Sequence, residues 1–194
     1  MRKKYIFYTI LCIVCFILGL VISKSSKLAI TDDTLYINNV RIIVEDNVNE
    51  SIANQYIKDI EAMPEFLLEN CNAIVITSED LNEKFNFNFS NVVRAVTVDD
   101  IIYINDSKFK SDVVIHELFH VYDYKNNWIS IENKDFLNVY ENECDIVKVS
   151  PGNNENAQEF FATIGAEYIT NSEDLKEYAP LSFEFMSNLL ATSH

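Results

Sequence analysis

The N-terminal part of the chain is one long hydrophobic stretch. Eighteen mostly apolar residues run from Tyr5 to Ile22, after a basic cluster at residues 2–4. This length suits a membrane-spanning helix and exceeds the roughly 7–15 apolar residues of a usual signal peptide. Three basic residues before the run and two after it favour a cytoplasmic N-terminus. We predict that residues 1–27 form a membrane helix that anchors an extracytoplasmic protein, with a cleaved signal peptide and secretion as the alternative.

After this run the pattern changes to short segments with strand or helix periodicity. Thr34–Glu45 predicts two short β segments around Asn38 and Asn39, a pair that tolerates positive φ in a hairpin turn. Residues 51–63 have helical spacing in their apolar positions and are followed by a proline. Ala73–Thr77 is short, apolar and β-branched, which predicts a buried strand. A hairpin, a helix and a buried strand in this order indicate an α+β domain.

Two further segments before residue 106 also have strand patterns. Phe85, Phe87 and Phe89 alternate with asparagines, which predicts a half-buried strand in preference to a substrate-facing aromatic loop. Val93–Asn105 predicts two β segments around a pair of aspartates. We expect the second of them to be an edge strand, either without a ligand or forming the edge of a cleft. In a cleft it would hold an extended peptide by main-chain hydrogen bonds.

The next apolar segment predicts a helix that is buried in the domain. The helix is expected to begin near Ser111 or Asp112, either of which suits an N-cap, and to run to about Tyr124. The rest of the chain is predicted to be mainly helical. No internal repeat and no linker rich in glycine, proline or serine interrupts it. Residues 28–194 are therefore expected to form a single domain.

Charge and cysteine content narrow the classes of partner and of fold. Residues 1–27 hold five of the 15 basic residues and none of the 30 acidic ones, so residues 28–194 have a net charge of −20. Such a surface repels phosphate backbones, and nucleic acid is not expected as a partner. Only Cys71 and Cys144 lie outside the N-terminal run. They leave two alternatives open, one disulfide bridge or two buried thiols.

His116, Glu117 and His120 form a His-Glu-x-x-His pattern within the predicted buried helix. Histidines four positions apart share a helix face, so both imidazoles can reach one metal ion while Glu117 faces its water. The alternative is a pair of buried core histidines, since this short pattern also occurs by chance. The context favours a metal site, because the chain has three histidines and the third, His194, is the last residue. The pattern predicts the core of a zinc hydrolase.

A catalytic zinc site normally has three protein ligands and a position for water. Asp123 and Asn126 stand where the His-x-x-Gly-x-x-His extension has glycine and histidine, which excludes that class. A glutamate from a second helix remains, and Glu159 is favoured. It lies in the first turn of an apolar helical segment, where an inward-facing carboxylate is costly unless a charged group meets it. The competing acidic residues are Glu141, Glu143, Asp145, Glu155 and Glu167.

Two motifs resemble a known family: HELFHVYDY and, after a gap, NAQEFFA. They are similar to the gluzincin metallopeptidases related to the catalytic domain of anthrax lethal factor and to the clostridial Pro-Pro endopeptidases. The resemblance covers roughly residues 40–191. It implies a zincin-like α+β domain with a small mixed sheet, an active-site helix and a helical C-terminal half. It also implies one Zn²⁺ per chain bound by His116, His120 and Glu159, with Glu117 as the general base.

Two positions depart from that family. Its members generally place a tyrosine seven positions before the third ligand, where the hydroxyl stabilises the oxyanion, and this chain has Gly152 there. Losing one oxyanion donor costs about 10²–10³ in rate, unless Tyr140, Tyr168 or Tyr178 replaces it. The second departure is Thr163, where the family often has another glutamate. This residue changes an outer contact and leaves the three proposed ligands in place.

The sequence therefore leaves two functions open. The first is a zinc metalloendopeptidase that hydrolyses an extended segment of an extracytoplasmic protein through a metal-activated water. The second is a zinc-binding relative with little or no activity that binds a peptide or a surface protein. Glu117 favours the first and Gly152 the second. Asp123 is expected either to orient an imidazole ring or to have a capping or solvent-facing role at the end of its helix.

Overall fold

The computed structural model describes residues 35–88, 92–147 and 156–191. Within these ranges the strands are β1 (Leu35–Ile37), β2 (Val40–Val44), β3 (Ala73–Thr77), β4 (Ala95–Val98) and β5 (Ile101–Asn105). The helices are α1 (Glu50–Glu61), α2 (Glu65–Leu68), α3 (Leu81–Lys84), α4 (Val113–Lys125), α5 (Ile129–Glu132), α6 (Lys134–Glu143), α7 (Ala157–Thr170), α8 (Ser172–Tyr178) and α9 (Pro180–Ala191). The expected α+β class with a helical C-terminal half is confirmed. The predicted membrane helix at residues 1–27 lies outside the described residues, and no described helix is long and apolar enough to cross a membrane.

The five strands form one mixed sheet in the order β1-β2-β3-β5-β4. Strands β2, β3 and β5 are parallel, and β1 and β4 are antiparallel to their neighbours at the two edges. Every residue of β3 is buried, as its continuous apolar sequence predicts for a central parallel strand. Asn38 and Asn39 have φ values of 45° and 68°, so the predicted first hairpin turn is confirmed.

The second hairpin forms as predicted, but its place in the sheet differs from the expectation. Strands β4 and β5 pair antiparallel across a turn in which Asp99 has a φ of 55°. Strand β5 is not an edge strand, because it pairs with β3 on its other side. The expectation that the second segment forms the edge is therefore wrong, and the edge belongs to β4. Strand order depends on pairing with distant segments, which the hairpin residues themselves do not specify.

The strand expected from the alternating phenylalanines is not formed at Phe85 and Phe87, and Phe89 lies outside the described residues. Helix α3 occupies the preceding residues, and Asn86 has a φ of 56°. This left-handed residue ends the regular alternation, so the two rings stack on each other, with their centroids 5.9 Å apart. Phe85 also packs edge-on against Tyr103 of β5 at 5.0 Å. The segment is a loop that packs on the face of the sheet that carries the Tyr103 side chain.

Helix α4 occupies the opposite face of the sheet and is buried along most of its length. It begins one residue after Asp112, within the expected range, and ends one residue after Tyr124. Helices α1 and α2, together with strands β4 and β5, pack against it. The Tyr56 hydroxyl of α1 donates a hydrogen bond to the Lys108 carbonyl at 3.1 Å, which holds the loop that leads into α4. The cysteines Cys71 and Cys144 form no disulfide bridge.

Helix α7 packs closely along α4, and a glycine makes this approach possible. A Cβ atom at Gly165 would lie 2.5 Å from both Cγ and Cδ1 of the Phe119 ring, closer than real contacts allow. Phe119 is fully buried and adjoins His120 in the sequence. The spacing of the two helices at Gly165 is therefore set by direct contact between a backbone and an aromatic ring.

We expect Gly165→Ala to destabilise the protein, although alanine favours helices. Alanine gains about 1 kcal/mol of helix propensity over glycine, whereas overpacking of a core costs about 1–3 kcal/mol and rises with the severity of the clash. Because Phe119 is fully buried, its ring has little space to move. The measurement is the free energy of unfolding in denaturant. Phe119→Leu should relieve part of the cost in the double variant, and a Gly165→Ala protein as stable as wild type would contradict the prediction.

Candidate metal centre

The two motif histidines of α4 direct the same ring nitrogen to one point. His116 and His120 lie one helical turn apart, and their Nε2 atoms are separated by 3.2 Å. Their side chains are only 14% and 17% exposed. The neighbouring residues on α4 are buried in the core, so the helix is fixed by packing and the pair of imidazoles lines the side that remains open.

Helix α7 brings Glu159 to the same point. Asn156 is the N-cap of α7, and its side-chain oxygen accepts a hydrogen bond from the Glu159 backbone N–H at 2.9 Å. The Glu159 carboxylate places Oε2 at 3.2 Å from Nε2 of His116 and Oε1 at 3.4 Å from Nε2 of His120. Helix capping thus fixes the first turn that carries Glu159, and the three predicted ligands lie together.

The donor atoms of this group fit a tetrahedral zinc ion. One ligand atom from each of His116, His120 and Glu159 lies within 4.8 Å of the others. Zinc bonds to imidazole nitrogen and carboxylate oxygen are about 2.0–2.2 Å long, so neighbouring donors around a tetrahedral ion are separated by about 3.3–3.5 Å. The two imidazole nitrogens are 3.2 Å apart, and they lie 3.2 Å and 3.4 Å from different oxygens of the Glu159 carboxylate, separations close to this value. Two imidazoles and one carboxylate also leave a fourth position for water.

The electrostatics of the group favour the ionised carboxylate that a metal needs. Burial alone would raise the pKa of Glu159, but hydrogen bonds to His116 and His120 outweigh this effect and lower the pKa to about 2. Burial acts on His120 in the direction of a lower pKa, yet the carboxylates of Glu159 and Glu117 raise its pKa overall. The arrangement therefore places carboxylate charge beside the imidazole nitrogens, which favours a positive charge at this point, either a proton or a metal ion.

Glu117 lies beside this group and has a partner that the sequence did not indicate. Glu117 is only 8% exposed. The Thr97 hydroxyl of β4 lies 2.6 Å from Oε2 of Glu117 and 3.2 Å from the Glu117 backbone carbonyl oxygen. The edge strand of the sheet is thus hydrogen-bonded directly to the proposed general base.

The competing acidic residues have other positions. Glu143 is buried, and its carboxylate accepts hydrogen bonds from the N–H groups of Leu181 and Ser182 at 3.0 Å and 2.8 Å. It therefore caps the first turn of α9. Glu167 accepts a hydrogen bond from the Asn171 side chain at 3.0 Å. Two others, Glu141 and Asp145, are exposed, and Glu155 lies outside the described residues.

Asp123 acts at the end of its helix. It is fully buried, and its carboxylate accepts hydrogen bonds from the backbone N–H of Ser130, at 2.8 Å, and from the Ser130 hydroxyl. Its backbone carbonyl accepts a further bond from the N–H of Trp128 at 2.9 Å. These contacts hold the connection between α4 and α5, which agrees with the helix-end alternative for this residue.

Three tyrosines could replace the missing hydroxyl, and Thr163 and Gly152 are the positions where the sequence departs from the family that it resembles. Tyr140 packs against Phe160 at 5.4 Å, and Tyr168 packs against Phe183 at 5.5 Å. Burial and nearby carboxylates raise the pKa of Tyr178 to about 12. Thr163 is buried on α7, and its hydroxyl has no hydrogen-bond partner within the described part of the chain. Gly152 lies outside the described residues.

The sheet, the motif helix and a group of residues that could hold a metal ion together support a metallopeptidase-like fold. A solved structure with a similar fold is that of the Pro-Pro endopeptidase from Paenibacillus alvei, with a TM-score of 0.61. The two sequences are 19% identical, and the similarity covers 76% of this chain and 96% of the other. No family model and no curated protein matches the sequence. At this identity the similarity shows the fold alone.

Proposed function

We propose that this protein is a zinc metalloendopeptidase of the gluzincin type that cleaves an extended segment of an extracytoplasmic protein. The observation that carries the proposal is the convergence of His116, His120 and Glu159 on one point beside Glu117. Residues 28–194 are the proposed catalytic domain. The hydrophobic run in residues 1–27 is the proposed membrane anchor, or a signal peptide that is removed before secretion.

The chemistry follows from the groups at this point. His116, His120 and Glu159 would bind the ion, and zinc supplies Lewis-acid chemistry that makes water a nucleophile near neutral pH and polarises a carbonyl. Glu117 takes the proton of the attacking water and delivers it to the leaving amine. Burial of Glu117 beside the hydroxyl of Thr97 keeps its carboxylate in one orientation during this transfer.

The free edge of β4 supports an extended substrate. Within the described residues, strand β4 has one strand neighbour, β5, and it packs against the motif helix on one face. An extended peptide can add to such an edge through main-chain hydrogen bonds, which places its scissile bond beside α4. The similar solved structure is a Pro-Pro endopeptidase, so Pro-Pro peptides belong among the first substrates to be tested.

The proposal is tested by measuring metal content and turnover of the same purified protein. We expect about one zinc per chain, together with cleavage of at least some members of an extended peptide library that includes Pro-Pro sequences. Removal of zinc with a chelator should stop cleavage, and addition of zinc should restore it. Zinc without any turnover would contradict the enzyme and support the peptide-binding alternative, which Gly152 in place of the family tyrosine favours. A protein that binds no zinc would contradict both.

A further inference from the structure

The side chain and the main chain of Thr97, on the edge strand β4, face different parts of the protein. It pairs in register with Ile102 of β5, whose side chain lies in the hydrophobic core. Residues opposite each other in an antiparallel pair point to the same face, so the Thr97 side chain faces α4. The hydroxyl accordingly reaches Glu117 at the middle of the motif.

The main chain of Thr97 points the other way, to the open edge. The backbone N–H of Asn105 donates to the Arg94 carbonyl at 2.7 Å, so these two residues are a hydrogen-bonded pair of the β4–β5 ladder. Hydrogen-bonded and non-hydrogen-bonded pairs alternate along antiparallel strands. Val96 and Val98 therefore direct their N–H and C=O groups to β5, whereas those of Thr97 face away from it. Among the described residues no strand pairs with this side of β4, so the main chain of Thr97 is placed to pair with an added strand.

The hydroxyl geometry shows which oxygen of Glu117 it engages. A threonine hydroxyl has one proton to donate. Its oxygen lies 2.6 Å from Glu117 Oε2 but 3.2 Å from the Glu117 carbonyl oxygen, so the carboxylate is the acceptor. Hydrogen bonds of this charge-assisted kind are short and roughly twice as strong as neutral ones. Oε2 is therefore engaged, and Oε1 remains as the oxygen that can receive a proton.

We infer that Thr97 is a positioning residue that holds Glu117 for proton transfer and connects it to the strand on which the substrate lies. The inference rests on the proposed peptidase function. One residue offers its main chain to the substrate and its side chain to the general base. Pairing of a peptide with β4 fixes Thr97, and the hydroxyl then fixes the Oε1 atom of Glu117 relative to that peptide.

Thr97→Val separates these two roles, because valine keeps the shape and the outward main chain but lacks the hydroxyl. We expect kcat to fall about tenfold to a hundredfold, the usual effect of losing one hydrogen bond to a charged group. KM should stay within about twofold of wild type, since the main-chain groups that pair with the peptide remain. Zinc content should stay at one per chain.

Two further variants distinguish positioning from a general structural effect. Thr97→Ser keeps the hydroxyl and should recover kcat to within about threefold of wild type. Thr77→Val is a matched control, since Thr77 also bonds a glutamate, Glu45, but on the opposite face of the sheet. It should lower stability without changing kcat. An unchanged kcat in Thr97→Val, or a serine variant as slow as the valine variant, would overturn the inference.

Unfolding of the metal-free protein provides a readout that does not need an active enzyme. Thr97→Val, Glu117→Leu and the double variant of the full chain are unfolded in the presence of chelator. If the hydroxyl bonds the carboxylate, the two substitutions together destabilise by less than the sum of their separate effects. Additive effects would overturn the inference. A wild-type protein without turnover would overturn the proposed function instead, and the unfolding cycle would still decide whether Thr97 holds Glu117.

Discussion

Glu117→Gln is expected to lower kcat by about 10²–10⁴-fold, the usual contribution of a positioned general base. Glutamine has nearly the same shape as glutamate, but its amide cannot take a proton from water. The three proposed ligands are untouched, so the variant should still contain one zinc per chain. The measurement combines peptide hydrolysis with metal analysis on the same preparation.

A matched control for this variant is Glu141→Gln. Glu141 is an exposed glutamate on α6, so the Glu141→Gln variant should retain full turnover. If Glu117→Gln kept full turnover, Glu117 would not be the base. If Glu117→Gln lost its zinc, the loss of activity would no longer report proton transfer. The role of Glu117 would then be tested by Thr97→Val, which leaves Glu117 in place.

Glu159→Ala should reduce the affinity for zinc by more than a hundredfold. Removing a residue that only supports a ligand typically costs 10- to 100-fold in metal affinity, and removing a direct ligand costs more. The variant also leaves the imidazoles of His116 and His120 without the carboxylate that faces them. Zinc affinity is measured by competition with a chelator of known strength, and hydrolysis should fall with it.

Helix α7 offers a control for this second prediction. Glu167 lies two turns further along the helix and bonds only to Asn171 among the contacts described above. Glu167→Ala should therefore bind zinc as tightly as the wild-type protein. An affinity for zinc that survives Glu159→Ala would assign the third ligand to another residue and would remove the main support for the gluzincin type.

The elements that could be predicted from sequence are those specified by their own residues. The Asn38-Asn39 turn needs two left-handed residues, and asparagine adopts that conformation more easily than most. Residues 73–76 of strand β3 are apolar, as suits a strand that is buried on both faces. The strand predicted from the alternating phenylalanines is absent at Phe85 and Phe87 for a local reason. Phe85 ends helix α3 with φ and ψ of −104° and 6°, and Asn86 has a positive φ, so the extended backbone on which period-two alternation depends does not form. The edge position of β4 was missed because strand order is a property of distant pairings.

The candidate site shows the same division. Glu159 lies in an apolar helical segment, where a carboxylate needs a charged partner, and the structure places it against two imidazoles. Glu143 is more deeply buried, but backbone N–H groups of α9 satisfy its carboxylate without a charged partner. The contact of Thr97 with Glu117 could not be predicted from the sequence, because no pattern connects one threonine in a strand to a residue 20 positions later.

The division of the proposed ligands between α4 and α7 also bears on how the protein resists heat. A ligand that binds only the folded state raises the free energy of unfolding by about 2.7 kcal/mol when present at one hundred times its dissociation constant. His116 and His120 lie on one helix and Glu159 on the other, and the helices meet where Phe119 contacts the backbone of Gly165. Any state in which α7 has left α4 loses this contribution. Thermal resistance of the metallated protein would therefore depend on the free zinc concentration around it.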